Sequence, residues 1–323
     1  MSSINISGVS ALIPPEHSRE ILQNIPQKSK TLSLMKRLPD FGSTEVNRPV
    51  LNSLPTAYFI NPGYNDEGVP NLKKTTKVDW GNLKITAEEI ACIVPIGINM
   101  LRDAQYPIWE EVKPLIEEAF GVVIDQAVLF GTNAPESWAS GIVPTAIAKG
   151  NVIEIGTNLD VASDIIGENG IEDLVNQDGY NVTGFFAAST MKAKLRDLRT
   201  TDNALLYAPP LSAGMPSTID GLPVEYDTQG VFDTDEALLI GGDFTKAVYA
   251  IRQDMEFDVL KEAVIQDPST KEIMYNFAQQ DMVGLRCTMR LGVQVANPVN
   301  RMNSNANTRY PFAVLTPASG SGS

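Results

Sequence analysis

The side chains able to do chemistry are few and badly spaced for it. The 323-residue chain has a single histidine, His17, near the N-terminus and ahead of any periodic segment. A His-based triad, a multi-His metal site or an imidazole proton relay therefore finds no partners of the right type. Two cysteines, Cys92 and Cys287, are too few for a zinc cluster or a disulfide scaffold. Cys92 sits in an alternating apolar pattern and reads as a small buried residue. Paired carboxylates occur at Glu110/Glu111 and Glu117/Glu118, but their segment carries an apolar stripe, so they read as its solvated face. Gly241-Gly242-Asp243-Phe244-Thr245-Lys246 places glycines after a strand without matching either GxxxxGK[ST] or GxGxxG, and reads as a strand-to-strand turn. There is no GxSxG elbow, HExxH helix or calcium loop. No catalytic residue, cofactor or metal site is expected; an enzyme would have to work through scattered Asp, Glu and Lys side chains that form no motif.

The charged residues say more. The formal charge is −14, from 25 basic and 39 acidic side chains, which argues against a protein that neutralises phosphates along its surface. Lys192, Lys194, Arg196 and Arg199 share one predicted helix face, suited to water or to ion pairs between subunits rather than to DNA. No run approaches the roughly 18 apolar residues of a membrane span. Met1 is followed by polar Ser2, Ser3 and Asn5, with no secretory pattern, so synthesis in a reducing cytoplasm is expected.

The elements that must position these residues follow from pattern. Residues 1–40 read as an N-terminal arm, with a short helix over Glu16–Ile25 between prolines. Residues 41–82 are extended: Pro39, Pro49, Pro55 and Pro62 exclude a helix. Val46–Leu51 and Thr56–Ile60 favour strands, and Asn61–Gly68 is a dense turn signal. The result is a long hairpin with Asp66 and Glu67 at its tip and Lys73, Lys74 and Lys77 on the return strand. Such a hairpin is marginal alone in water, so it either lies on its own domain or reaches onto a neighbouring subunit. Residues 83–96 alternate as a strand. The segment 107–130 is the strongest helix, with Pro107 in its first turn, Gly131 as its stop, and Trp109, Val112, Ile116, Phe120, Val123, Ala127 and Phe130 in one stripe. Pro114 should bend it or delay its regular start. Residues 135–235 read as an α/β lobe: helix over Val161–Gln177 weakened by Gly167 and Gly170, strand Val182–Ala188, a helix capped by Ser189, and short strands Ala204–Tyr207 and Leu222–Tyr226. Strands return at Ala237–Ile240, Ala247–Ile251 and Met255–Leu260. Val283, Leu285, Cys287, Met289, Leu291, Val293 and Val295 then alternate without a miss. Pro311–Leu315 is a last strand, and 317–323 a Gly/Ser tail.

Three stretches in this order carry a resemblance: ITAEEIACIVPIGINMLRDAQYPIWEEVKPLIEEAFGVVIDQAVLFGTN, STIDGLPVEYDTQG and ALLIGGDFTKAVYAIRQDMEFDVL. From about residue 35 to 316 the chain resembles the major capsid proteins of tailed double-stranded DNA bacteriophages, whose shell fold is shared with encapsulin nanocompartments. The resemblance implies an α+β fold with arm 1–40, extended loop 41–82, a peripheral domain (83–134 and 236–316) holding spine helix 107–130, and an axial domain (135–235). It implies pentamers and hexamers of this chain in an icosahedral virion shell, assembled in the bacterial cytoplasm and enclosing double-stranded DNA without sequence-specific binding. Portal and decoration proteins are implied as partners and, with Met1 as the start, a separate scaffolding protein. Asp66, Glu67, Lys73, Lys74 and Lys77 of the loop are implied inter-subunit contacts. Some such shells are cross-linked from a loop lysine to an asparagine, assisted by a glutamate; Asp281 and Thr288 stand at those places here, so no linkage is expected. The alternative within the same fold is an encapsulin-like compartment around a cargo enzyme.

Overall fold

The computed structural model describes residues 29–40, 42–59, 73, 75–103, 107–198 and 217–318. His17, the arm helix over 16–25, the hairpin tip with Asp66 and Glu67, Lys74, Arg199, the Ala204–Tyr207 strand and the tail beyond Ala318 lie outside the described residues.

The chain forms two compact units. The described part of the smaller comprises Ile93–Glu117 and Asp258–Arg286. Here a two-stranded antiparallel hairpin, β11 (Val264–Gln266) with β12 (Ile273–Asn276), turns on Asp267, which accepts from the backbone N–H groups of Ser269 and Thr270. Phe277, 1% exposed, lies under Gly284, where a Cβ would sit 2.7 Å from the ring.

The larger unit carries most of the core. Its main sheet has six strands in the order β5 (Val152–Glu154), β14 (Phe312–Thr316), β9 (Leu239–Gly242), β6 (Gly184–Ala187), β8 (Leu222–Tyr226) and β7 (Thr218–Ile219). β14 runs parallel to β5 and β6 parallel to β8, while the other pairings are antiparallel. One face packs Phe185, Ala187, Leu239, Ala313 and Leu315 against Ile165, Ile171, Val175, Met191 and Leu195. The last five come from helices α5 (Val161–Ile166), α6 (Ile171–Gln177) and α7 (Met191–Arg196). These five buried side chains supply on the order of 8–15 kcal/mol of hydrophobic transfer free energy. Here the chain departs from expectation. The lobe does not end at 235: β9 and β14 lie inside its sheet, so residues near 239–242 and 312–316 complete it. Gly241 and Gly242 are strand residues rather than a turn. Aromatic rings occupy the space their side chains would need, Phe185 against Gly241 and Phe312 against Gly242. Gly167, extended at φ −78°, ψ 179°, splits the expected 161–177 helix into α5 and α6. α7 covers only Met191–Arg196, and the residue before it is Thr190 rather than Ser189, with no side-chain capping hydrogen bond. A helix not expected, α4 (Ile142–Lys149), follows Gly141.

Helix α3 (Ile108–Phe130) matches the expected spine, with Pro114 inside and Gly131 at φ +72° ending it. Glu110 and Glu111 direct their N–H groups to the Pro107 carbonyl. Ile116, Phe120 and Ala127 are buried as the stripe requires, but Val123 is exposed. Ile124, Val128 and Leu129 are buried instead, so the stripe widens toward the C-terminal end. That end is pinned by rings: Phe130 meets Phe232 edge-on at 5.6 Å, and Phe232 meets Phe186 of β6 at 5.3 Å.

A second sheet has the order β1 (Lys36–Arg37), β10 (Ala247–Leu260), β13 (Met282–Val295) and β4 (Glu88–Gly97). The two expected segments at 247–251 and 255–260 are one strand. β13 follows its alternation: Val283, Leu285, Cys287, Met289, Leu291 and Val293 are all buried.

Candidate assembly surfaces

The hairpin is built from β2 (Glu45–Leu51) and β3 (Trp80–Thr86), antiparallel in the register Glu45↔Thr86 through Leu51↔Trp80. Sequence reasoning places its outer boundary at 82, but β3 runs on to Thr86. Ala87 then interrupts the expected 83–96 strand by donating its N–H to Thr44 O before β4 begins. The root of the hairpin lies on its own domain: Ile85 and Ala87 are buried against Val248 and Ala250, with Leu38, Val46 and Leu83 alongside. The outer limb differs. Residues 52–58 and 75–79 form no strand ladder, and the Thr56–Ile60 segment is no strand at its described positions. Ser53 and Asp79 hold the limbs together, the Asp79 N–H donating to Ser53 Oγ at 2.8 Å and the Asn52 N–H to Asp79 O at 2.9 Å. This limb and the ladder residue at its base, Trp80, carry four exposed large apolar side chains, Tyr58, Phe59, Val78 and Trp80, with Phe59 fully exposed and Trp80 65% exposed. Of the five charged residues expected at an inter-subunit contact, Lys73 and Lys77 are described, and both are exposed on the returning limb. Thus the two readings of the hairpin divide it, the root on its own chain and the outer limb presenting apolar surface to solvent.

Other charged groups are resolved individually. Glu110 pairs with Lys113 at 2.9 Å, and Glu110 and Glu117 are exposed. Lys192, Lys194 and Arg196 are exposed around a shallow groove beside α7, Lys192 standing over the Tyr226 ring at 5.4 Å. Cys92 is half-buried rather than buried, and burial raises its thiol; neither cysteine forms a disulfide.

Two buried polar constructions had no motif to announce them. The first holds α1 (Lys30–Leu34) to the spine helix. Asp125, 0% exposed, accepts from Ser29 Oγ at 2.5 Å and from the Lys30 N–H at 3.1 Å, while Ser29 Oγ caps α1 by accepting from the Leu32 N–H. Burial pushes the Asp125 carboxyl above the ordinary range, and the hydrogen bonds pull it back in part. Lys30 Nζ turns instead to Glu225 at 3.1 Å.

The second lies in the segment after β13. Arg309, 2% exposed, donates from Nε to Asn297 Oδ1, and from its two terminal nitrogens to the carbonyls of Asn303 and Asn297. Asp178, at the C-terminal end of α6, accepts from the Asn151 and Asn303 side-chain amides and the Tyr310 N–H. A run of asparagines at 297, 300, 303, 305 and 307 was visible in the sequence, and short amides of that kind satisfy buried backbone groups. Asp164, Asp227 and Asp243 likewise accept from nearby backbone N–H groups. Among the described residues no three His, Cys, Asp or Glu side chains converge as a metal site.

A chain whose buried polar groups serve mainly backbone, and whose hairpin presents large apolar side chains to solvent, is arranged for contacts between proteins. The comparisons with known proteins agree. The model of the phage capsid family matches residues 9–300. The major capsid protein of Staphylococcus phage 80alpha is 28% identical over 284 residues, 87% of this chain and 81% of that one. A solved chain of Microbacterium phage Oxtober96 is 33% identical with a TM-score of 0.84, covering 98% of this chain and 100% of that one. A chain of Mycobacterium phage Bobi is 25% identical with a TM-score of 0.82, each chain covered completely.

Proposed function

This chain belongs to the phage capsid family and is a major capsid protein, a self-assembling subunit of an icosahedral virion shell; from that premise we propose how its surfaces are used. Copies associate as pentamers and hexamers. The six-stranded lobe, extended by β9 and β14 beyond the 135–235 span, faces the capsomer axis. The hairpin's outer limb lies on a neighbouring copy, with Asp66, Glu67, Lys73, Lys74 and Lys77 at its charged contacts. The observation that supports this use is the exposure of Tyr58, Phe59 and Val78 on the limb, and of Trp80 at its base, while the root beyond is already packed. Burying four such side chains against a neighbour contributes on the order of 6–12 kcal/mol per hairpin before ordering costs. Repetition around a closed shell turns modest contacts into a stable whole.

The shell encloses double-stranded DNA without reading its sequence, and does no catalysis. A charge of −14 suits that role, because an acidic wall repels phosphate and leaves the genome free to move during packaging and ejection. This requires side chains such as Glu117 and Glu118 to face the lumen in part. Scaffolding, portal and decoration proteins are the partners this role calls for, with assembly in the bacterial cytoplasm. The encapsulin-like alternative is not favoured by the likenesses above. Negative-stain microscopy of the purified chain, with and without a candidate scaffolding protein, tests the reading. Uniform closed shells support it, and small particles under every condition would refute it.

A further inference from the structure

The root of the hairpin is tied to one more element than a two-stranded arm needs. The Val299 N–H donates to Leu51 O at 3.1 Å, the last residue of β2. Two residues on, the Arg301 guanidinium donates to Pro55 O at 2.9 Å, where the outer limb has left the ladder. The other end of this segment is fixed to the six-stranded lobe. The Asn300 amide donates to Asp178 O at 2.6 Å, the Asn303 amide to the Asp178 carboxylate at 2.7 Å, and the Tyr180 hydroxyl to Asn297 Oδ1 and Pro298 O. Gly179 packs so closely on Asn300 that a Cβ would stand 2.7 Å from its side-chain oxygen. Buried Arg309 closes the segment on itself through Asn297 and Asn303.

We propose that residues 297–309 form a strut that sets the angle of the hairpin relative to the six-stranded lobe, with Asp178 and Arg309 as its fixed end and Val299 and Arg301 as its contact with the hairpin root. The chemistry fits a positioning device. The fixed end is buried and bonded through several groups at once, so it resists displacement. The contact with the hairpin is one backbone bond and one exposed arginine, so it yields first. An open groove of about 350 Å³ lined by Asn52, Ser53, Leu54, Asn300, Arg301 and Ser304 lies beside that contact, and gives the base of the outer limb room to swing once Arg301 lets go. Arg309 and Asp178 act on the hairpin only through the strut. The consequence for assembly rests on the reading of the outer limb as an inter-subunit element; the strut itself does not.

Hydrogen exchange followed by mass spectrometry on the full-length, unassembled chain tests it. Arg301→Ala removes an exposed side chain and leaves the core intact. Exchange at residues 50–56 and at Val299 is expected to rise about three- to tenfold, the size of one lost hydrogen bond, with β6 unchanged. Arg309→Gln should spread the same increase along β2 and β3. Unchanged exchange in the hairpin of Arg301→Ala overturns the strut, whatever Arg309→Gln does, including global loss of protection. Assembly of Arg301→Ala separates the two readings: faster hairpin exchange with normal shells supports the strut and refutes the inter-subunit use of the limb, whereas faster exchange with misshapen or absent shells supports both.

Discussion

Asp125 offers the sharpest test of how the chain is held together, because its carboxylate is fully buried and accepts from Ser29 Oγ and the Lys30 N–H, with no paired cation among the described residues. Asp125→Ala strands Ser29 Oγ and the Lys30 N–H, each worth about 1–3 kcal/mol when left unsatisfied. The same change relieves the cost of burying an ionised carboxylate, so the net destabilisation is expected at about 2–4 kcal/mol, or about 3–6 °C in melting temperature for a chain of this length. Asp125→Asn keeps an acceptor oxygen at the site and removes the charge, so it should cost less than about 1 kcal/mol. The pH dependence has a definite sign. Burial raises the folded carboxyl above its unfolded value, so the folded state takes up the proton first. Stability rises on acidification across the interval between Asp125's raised folded value and the ordinary carboxylate value, and falls as pH rises through the folded value. Asp125→Asn flattens that slope. Differential scanning calorimetry of unassembled subunits gives the stability, and tryptic cleavage after Lys30 reports release of α1, whose Thr31 is fully buried. Cleavage and melting unchanged in Asp125→Ala would show that the carboxylate holds nothing. Equal damage from Asn and Ala would show that the charge itself is the clasp and that its burial cost is small.

Three further outcomes follow from named contacts. Gly141→Ala drives a Cβ into the backbone of Phe130 and Gly131 at the end of the spine helix, where backbone rather than a flexible side chain must give way, so soluble folded protein should fall sharply, measured by circular dichroism of the soluble fraction. Trp80→Ala removes a side chain 65% exposed in the single chain, so the subunit's melting temperature should hold within about 1 °C while light scattering shows slower or incomplete assembly; normal assembly kinetics would remove Trp80 from the contact. Assembled particles boiled in SDS should run as single chains, since Asp281 and Thr288 stand where a cross-linking asparagine and its glutamate are implied, and a ladder of covalent oligomers would contradict this.

What the sequence disclosed and what it concealed differ by the range of the forces involved. The alternation in β13 and the spacing in α3 were legible because a strand or helix with one buried face must repeat its apolar residues at its own period. Their exceptions arose where tertiary structure surrounds the element. Val123 is exposed while Ile124, Val128 and Leu129 are buried, toward the end of α3 where Phe130 meets Phe232. Gly241 and Gly242 looked like a turn because nothing local says that Phe185 and Phe312 lie against them. The lobe seemed to end at 235 because β9 and β14 join its sheet from about 50 and 125 residues beyond β6, a pairing that no local signal encodes. The hairpin was half legible: prolines and turn residues announced an extended arm, but not that its root packs on Val248 and Ala250 of its own chain.

The strut shows why absence of a catalytic motif is a weak guide to where function resides in such a chain. The asparagine run from 297 to 307 resembles a loop by composition, yet it joins the hairpin root to the buried Asp178 station through bonds that span more than 120 residues of sequence. An enzyme concentrates its demands on a few reacting atoms, and its motifs are short because the chemistry is local. A shell subunit has to hold angles between surfaces, and angles are held by many modest bonds distributed along the chain. The residues that matter most for such a task are therefore those that fix one element against another. Arg309 and Asp178, buried polar groups bonded to backbone and amide partners, are of this kind, and substitutions there strand several buried partners at once, so they should loosen the strut and the lobe that anchors it together.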